Sequence, residues 1–141
     1  MPTRPGFNYV RDDARRRIRV TIHQWLPLED LTAIIDRQAR EGTWSYAMIY
    51  DARCLHGPAP TADTAKLVDY VLAHVARLGP RGPVAFVTRS ADFVGVAHRY
   101  ARVGEKVGFE VEAFWDLDEA ERWLDSRQLP EPGGQSPAAG G

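Results

Sequence analysis

Only one cysteine, Cys54, occurs in the 141 residues. An intramolecular disulfide and a multi-cysteine metal site are therefore excluded. No apolar run approaches the roughly 20 residues a membrane helix needs, so no integral membrane segment is expected. The opening residues Met1-Pro-Thr-Arg-Pro-Gly lack the apolar core of a secretory signal. Charge of one sign is missing too: 18 Lys and Arg stand against 19 Asp and Glu, a formal net charge of −1. That balance supplies no global pull toward nucleic acid or anionic lipid. Equally absent are a nucleophile with an evident base, a histidine pair at zinc spacing along a helix, and a glycine pattern that follows a strand and opens a helix. These gaps leave a cytoplasmic chain with no cofactor, no nucleic-acid partner and no catalytic residue to assign. The length suits one hydrophobic core.

What is present is a strand-helix rhythm. Residues 7–10 and 17–24 read as a hairpin with Asp12-Asp13 near its turn. In the second segment Ile18, Val20 and Ile22 alternate with Arg17, Arg19, Thr21 and His23, which predicts one buried and one wet face. Residues 46–50 and 84–87 are unbroken apolar runs, the signature of central strands covered on both sides. The segment 17–24 is expected to lie more peripherally than 84–87. In 111–115 an alternating pattern returns, so that strand is also expected at the periphery, with Val111, Ala113 and Trp115 on one face.

Helices are predicted between these runs. Pro27, Glu29 and Asp30 suit a first turn; Leu28, Leu31, Ile35 and Ala39 share a face, and Gly42 ends it. Thr61 is a good N-cap for the next helix, whose stripe is Val68, Val71, Leu72, Val75 and Leu78. A third helix groups Phe93, Val96, Ala97, Tyr100, Gly104 and Val107 before Gly108. Asp116 and Glu119 form a capping-box pattern ahead of Ala120, Trp123 and Leu124. The expected division is a flexible arm at 1–6, an α/β domain at 7–128 and a disordered tail at 129–141, where Pro, Gly and Ser replace all periodicity.

Candidate chemistry is sparse. Asp51 and Arg53 stand at the end of a buried strand, where α/β sites tend to form, and are candidate binding residues; the plainer reading is a strand-end pair that satisfies loop backbone groups. A receiver-type phosphoacceptor role for Asp51 is excluded, because the acidic pair and the lysine it requires are replaced by His23-Gln24 and Trp115-Asp116. His23, His56, His74 and His98 do not converge and are expected to be solvated. Cys54 is expected to be a buried, inert thiol. Gly79-Pro80-Arg81-Gly82-Pro83 precedes a strand and reads as a turn. Arg11, Arg15, Arg16, Arg17 and Arg19 make a basic hairpin, read as a solvated edge guarded against aggregation. The aromatics are many for so small a core, and several together could line a groove between the second and third helices.

The order of elements resembles the STAS (sulphate-transporter and anti-sigma-factor-antagonist) domain, and within it a group of stand-alone bacterial STAS-like proteins. The residues that carry the likeness are Arg37-Gln38 with Trp44, then Asp51-Ala52-Arg53, Pro60-Thr61-x-x-Thr64, Gly79 to Ala85, and Phe114-Trp115-Asp116 followed by Glu119 to Leu124. The resemblance implies a mixed β-sheet of about five strands with an N-terminal hairpin and four helices. It also implies a non-enzymatic regulatory module that binds another protein, with a carrier or sensor of a small apolar or amphipathic ligand as the alternative. Family antagonists carry a phosphorylated serine where this chain has residues 57–64. Here the serine and the following glycine are missing. Thr61 is the nearest hydroxyl and the candidate phosphoacceptor, with Thr64 one turn later. Asp51, Arg53, Thr61 and Thr64 are thus the binding candidates.

Overall fold

A computed structural model of the chain describes residues 6–55 and 64–128, with Thr64 and Val107 described by their backbone alone. Thr61, His56, the first five residues and the segment 129–141 lie outside the described residues.

Among the described residues nine elements follow one another: β1 (Phe7–Asp12), β2 (Arg17–Ile22), α1 (Leu28–Glu41), β3 (Ala47–Ala52), α2 (Thr64–Leu78), β4 (Val84–Thr88), α3 (Ala91–Val107), β5 (Val111–Phe114) and α4 (Leu117–Arg127). The strands form one mixed sheet in the order β1-β2-β3-β4-β5. β1 runs antiparallel to β2 with Phe7 opposite Ile22 and Asp12 opposite Arg17. The other pairings are parallel. The five-stranded α/β architecture with an N-terminal hairpin and four helices is the one expected.

Two expectations about the sheet change. β2 and β4 are equally interior, each one strand in from an edge, with β3 at the centre. The wet face expected for β2 is covered as well: Arg17 is buried, Arg19 and Thr21 half-buried. The reason is α4, which crosses to the face that α1, α2 and α3 leave open.

The pleat sends alternate residues to two cores. On one face Ile18, Val20, Ile22, Met48, Tyr50 and Val84 pack with Ile34 of α1 and Phe93 of α3. On the other, Ala47, Ile49, Ala85 and Val87 meet Ala120 and Leu124 of α4, with Phe114 and Trp123 alongside. Small residues at 47, 85 and 120 let α4 lie close on the strands. A third cluster, Ile35, Trp44, Val71, Tyr100 and Phe109, joins the three helices to one another. α2 packs on α1 and α3 and stands off the strands. That stand-off positions the site described below.

Local signals explain the boundaries. Gly42 (φ 74°) and Gly108 (φ 90°) end α1 and α3 in the left-handed conformation that glycine adopts freely. The Ser90 hydroxyl caps α3 by accepting from the Phe93 N–H. Asp116 caps α4 through the Asp118 N–H at 3.1 Å, one residue short of the expected capping box. Trp115 does not join Val111 and Ala113 on an inner face; it lies beyond the end of β5 and is 58% exposed.

Candidate functional site

The space between α2 and the sheet is a cavity of about 170 Å³. Tyr50 and Phe86 form its floor. Leu28, Leu31 and Ile35 of α1 make one wall, Phe93, Val96 and Tyr100 of α3 the other, and Leu67, Val68 and Val71 of α2 the roof. Ile22, Trp25, Leu26 and Leu55 close the end nearest the carboxyl termini of β2 and β3. Exposure grades along it. Trp25, Leu26, Leu28, Leu67 and Val96 are half-buried, whereas Ile35, Val71 and Tyr100 are buried. Aromatic contacts stiffen the lining: Trp25 stacks on Phe93 at 5.7 Å and Tyr50 on Phe86 at 5.2 Å, and Phe86 also meets Phe93 and Tyr100.

Among the described residues that line this apolar space, one carries a charge. Arg81 is only 5% exposed. Its Nη1 donates to the Tyr100 hydroxyl at 2.7 Å and its Nη2 to Gln38 Oε1 at 2.6 Å, and its guanidinium lies 5.2 Å from the centre of the Trp44 ring. Its Nε has no hydrogen-bond partner. Among the described residues no carboxylate lies within ion-pair distance of Arg81. Burial works against its charge, yet the hydroxyl oxygens of Tyr100 and Tyr50 outweigh burial and hold it protonated above the ordinary arginine range. Burial in turn pushes the Tyr100 hydroxyl up, against the pull of Arg81.

The backbone sets Arg81 in place. Gly82 runs so close to the entry of β3 that a Cβ there would meet the carbonyl oxygens of Ser45 and Tyr46, each at 2.4 Å. Trp44 Nε1 donates to the Gly79 carbonyl at 2.8 Å. Gln38 is fixed in turn: its Nε2 donates to the Thr43 carbonyl at 2.9 Å, leaving Oε1 for Arg81. The Gly-Pro-Arg-Gly-Pro segment is a turn, as expected. The composition that marks it as a turn gives no sign that its arginine points inward.

The sequence candidates fall elsewhere. Asp51 is 4% exposed and shares the α4 face with Ala47 and Ile49, opposite the cavity. It accepts from Arg53 Nε at 2.9 Å, Arg53 Nη2 at 2.8 Å, the Arg53 backbone N–H at 3.3 Å and Arg19 Nη2 at 3.1 Å. Burial raises its pKa, but the Arg53 hydrogen bonds and charge, helped by Arg19, bring the carboxyl below its ordinary range. This carboxylate is saturated by Arg53, just past the end of its strand, and by Arg19 of the neighbouring strand β2. Thr64 opens α2; its side chain, like Thr61, lies outside the described residues.

Three further expectations are corrected. His74 is buried, its ring stacked on Trp44 and tilted against Tyr70, because α2 turns that side toward Trp44. Cys54 is exposed, since the chain turns outward directly after β3. The basic hairpin is paired rather than merely solvated. Arg11 meets Asp13, Arg15 and Arg17 meet Glu121 and Asp125, and Arg19 meets Asp51. The aromatic groove is formed by Tyr50, Phe86, Phe93 and Tyr100; Trp123 packs on Phe114 at the other face.

Among the described residues no group of three His, Cys, Asp or Glu side chains could hold a metal ion, and no helix is long and apolar enough to cross a membrane. Comparison with protein-family models, curated proteins and solved structures gives no match to this chain.

Proposed function

We propose that the chain is a cytoplasmic, non-enzymatic binding module of the STAS-like type, acting as a carrier or sensor for a small apolar or amphipathic molecule. The observation that carries this reading is the cavity beneath α2, walled by aliphatic and aromatic side chains from three helices and the sheet. A dry apolar cavity of about 150 Å³ takes up a benzene-sized molecule, so this one has room for a small ligand. Concave, mostly apolar lining with a few polar groups is the usual make-up of small-molecule sites. The element order supports the STAS likeness. The test is thermal unfolding with and without 1-octanol, in wild type and in Val71→Phe, which fills the roof. Wild type is expected to gain stability with octanol while Val71→Phe does not; equal responses would refute the reading.

A second reading, a regulatory module that binds another protein, is favoured by Trp115. It stands exposed beside Asp116, whose charge is felt by Arg53. Large exposed aromatics rimmed by charge are common anchors of protein contacts. A specific partner retained by wild type and lost with Trp115→Ala would support this use of the surface; equal retention would count against it.

A further inference from the structure

Arg81 is a buried cation in an apolar cavity, and its neighbours among the described residues are neutral. Tyr100, Tyr50, Gln38 and the Trp44 ring ease its desolvation, and none of them cancels its charge. Removing an ion from water costs several kcal/mol unless a counter-charge or full hydrogen bonding compensates it. A guanidinium has five N–H donors. The two hydrogen bonds use two of them, and Nε is left with none. An arginine edge made of Nε–H and a neighbouring Nη–H is a fork that matches the two oxygens of a carboxylate.

We infer that Arg81 is the anion anchor of the cavity, and that the ligand class is a small amphipathic carboxylate whose apolar tail lies among Val71, Val96 and Phe93. This inference rests on reading the cavity as a ligand site and adds the charge of the ligand to it. The tail points toward the half-buried end at Trp25 and Leu28, and the carboxylate reaches the deep end, where Arg81 lies with Tyr100. The bound anion neutralises the cation where Arg81 lines the cavity, and taking up the Nε–H, which is sealed from solvent in the unliganded chain, requires a small turn of the guanidinium. A plain structural role, in which Arg81 only ties Gln38 to Tyr100, would leave the cavity indifferent to ligand charge.

The test titrates the protein at neutral pH with octanoate, 1-octanol and octylamine, three probes with the same chain and different charge. Octanoate is expected to bind at least about tenfold more tightly than octanol, as for one charge-assisted contact, and octylammonium more weakly than either. Equal affinity for octanoate and octanol would overturn the anchor while leaving the cavity reading intact. Binding of none of the three would overturn both. This ranking uses wild-type protein and so does not depend on a variant folding. Arg81→Met, if folded, is expected to bind octanol as before and to lose the preference for octanoate. Arg81→Lys keeps the charge and loses the fork, so it should retain part of the preference. A folded Arg81→Met protein that still prefers octanoate would refute the assignment.

Discussion

Replacing Arg17 with Met tests how α4 is held across the sheet. The Arg17 side chain is 7% exposed and reaches three residues of α4 and its end. Nη1 donates to Glu121 at 2.5 Å, Nη2 to Asp125 at 2.9 Å, and Nε and Nη2 to Gln128 Oε1 at 3.0 and 2.7 Å. The Gln128 amide then donates to the Arg15 and Arg16 carbonyls at 3.2 and 2.8 Å, which closes the link to the hairpin. Breaking a fully buried pair costs about 3–5 kcal/mol. Glu121 is 27% exposed, so water can partly hydrate the carboxylate left behind, and the methionine chain keeps some of the packing. The expected loss is about 2–3 kcal/mol. Urea unfolding of wild type, Arg17→Met, Glu121→Gln and the double variant would isolate the pair, with an expected coupling of about 1 kcal/mol. A coupling near zero, or an Arg17→Met loss within about 0.5 kcal/mol, would refute the claim that this cluster fastens α4.

Asp51 gives a pH dependence. Its carboxyl lies below the ordinary range in the folded chain, so its stabilisation is complete above the unfolded value of about 3.9 and is lost as pH falls through the folded value. Asp51→Asn is expected to destabilise the protein at neutral pH and to flatten the acid limb of its urea midpoint below about pH 4; an acid limb parallel to wild type would contradict this. Gly82→Ala is expected to cost about 1–3 kcal/mol in chemical unfolding, because its Cβ would meet two carbonyl oxygens at 2.4 Å. Gly95→Ala, in α3 with nothing within 4 Å of the added Cβ, should instead raise stability by about 0.5–1 kcal/mol.

The fold was legible because apolar periodicity reports local geometry. The unbroken runs at 47–50 and 84–87 announce strands covered on both faces, and Gly42 and Gly108 mark helix ends that the φ values bear out. The site was less legible, because its decisive feature comes from three-dimensional packing. Arg81 lies in a glycine-proline turn that looks solvated along the chain. It is buried only because Gly82 lets that turn press against residues 45 and 46. His74 and Arg17 follow the same logic: each occupies a polar place in its own element and is covered by an element distant in sequence. The reverse holds for Trp115, whose size suggests a core residue and whose place past the end of β5 leaves it uncovered. The aromatic groove was visible in outline from Phe86, Phe93 and Tyr100, while its roof depends on α2 standing off the sheet.

The most direct test of the central claim is where a small apolar molecule touches the protein. Intermolecular nuclear Overhauser effects between 1-octanol and methyl-labelled protein would locate it. The cavity reading predicts contacts to Ile35, Val71 and Val96, which face one another between α1, α2 and α3. Contacts confined to exposed side chains such as Val10 and Leu78, or none at octanol concentrations that shift the thermal midpoint, would contradict it.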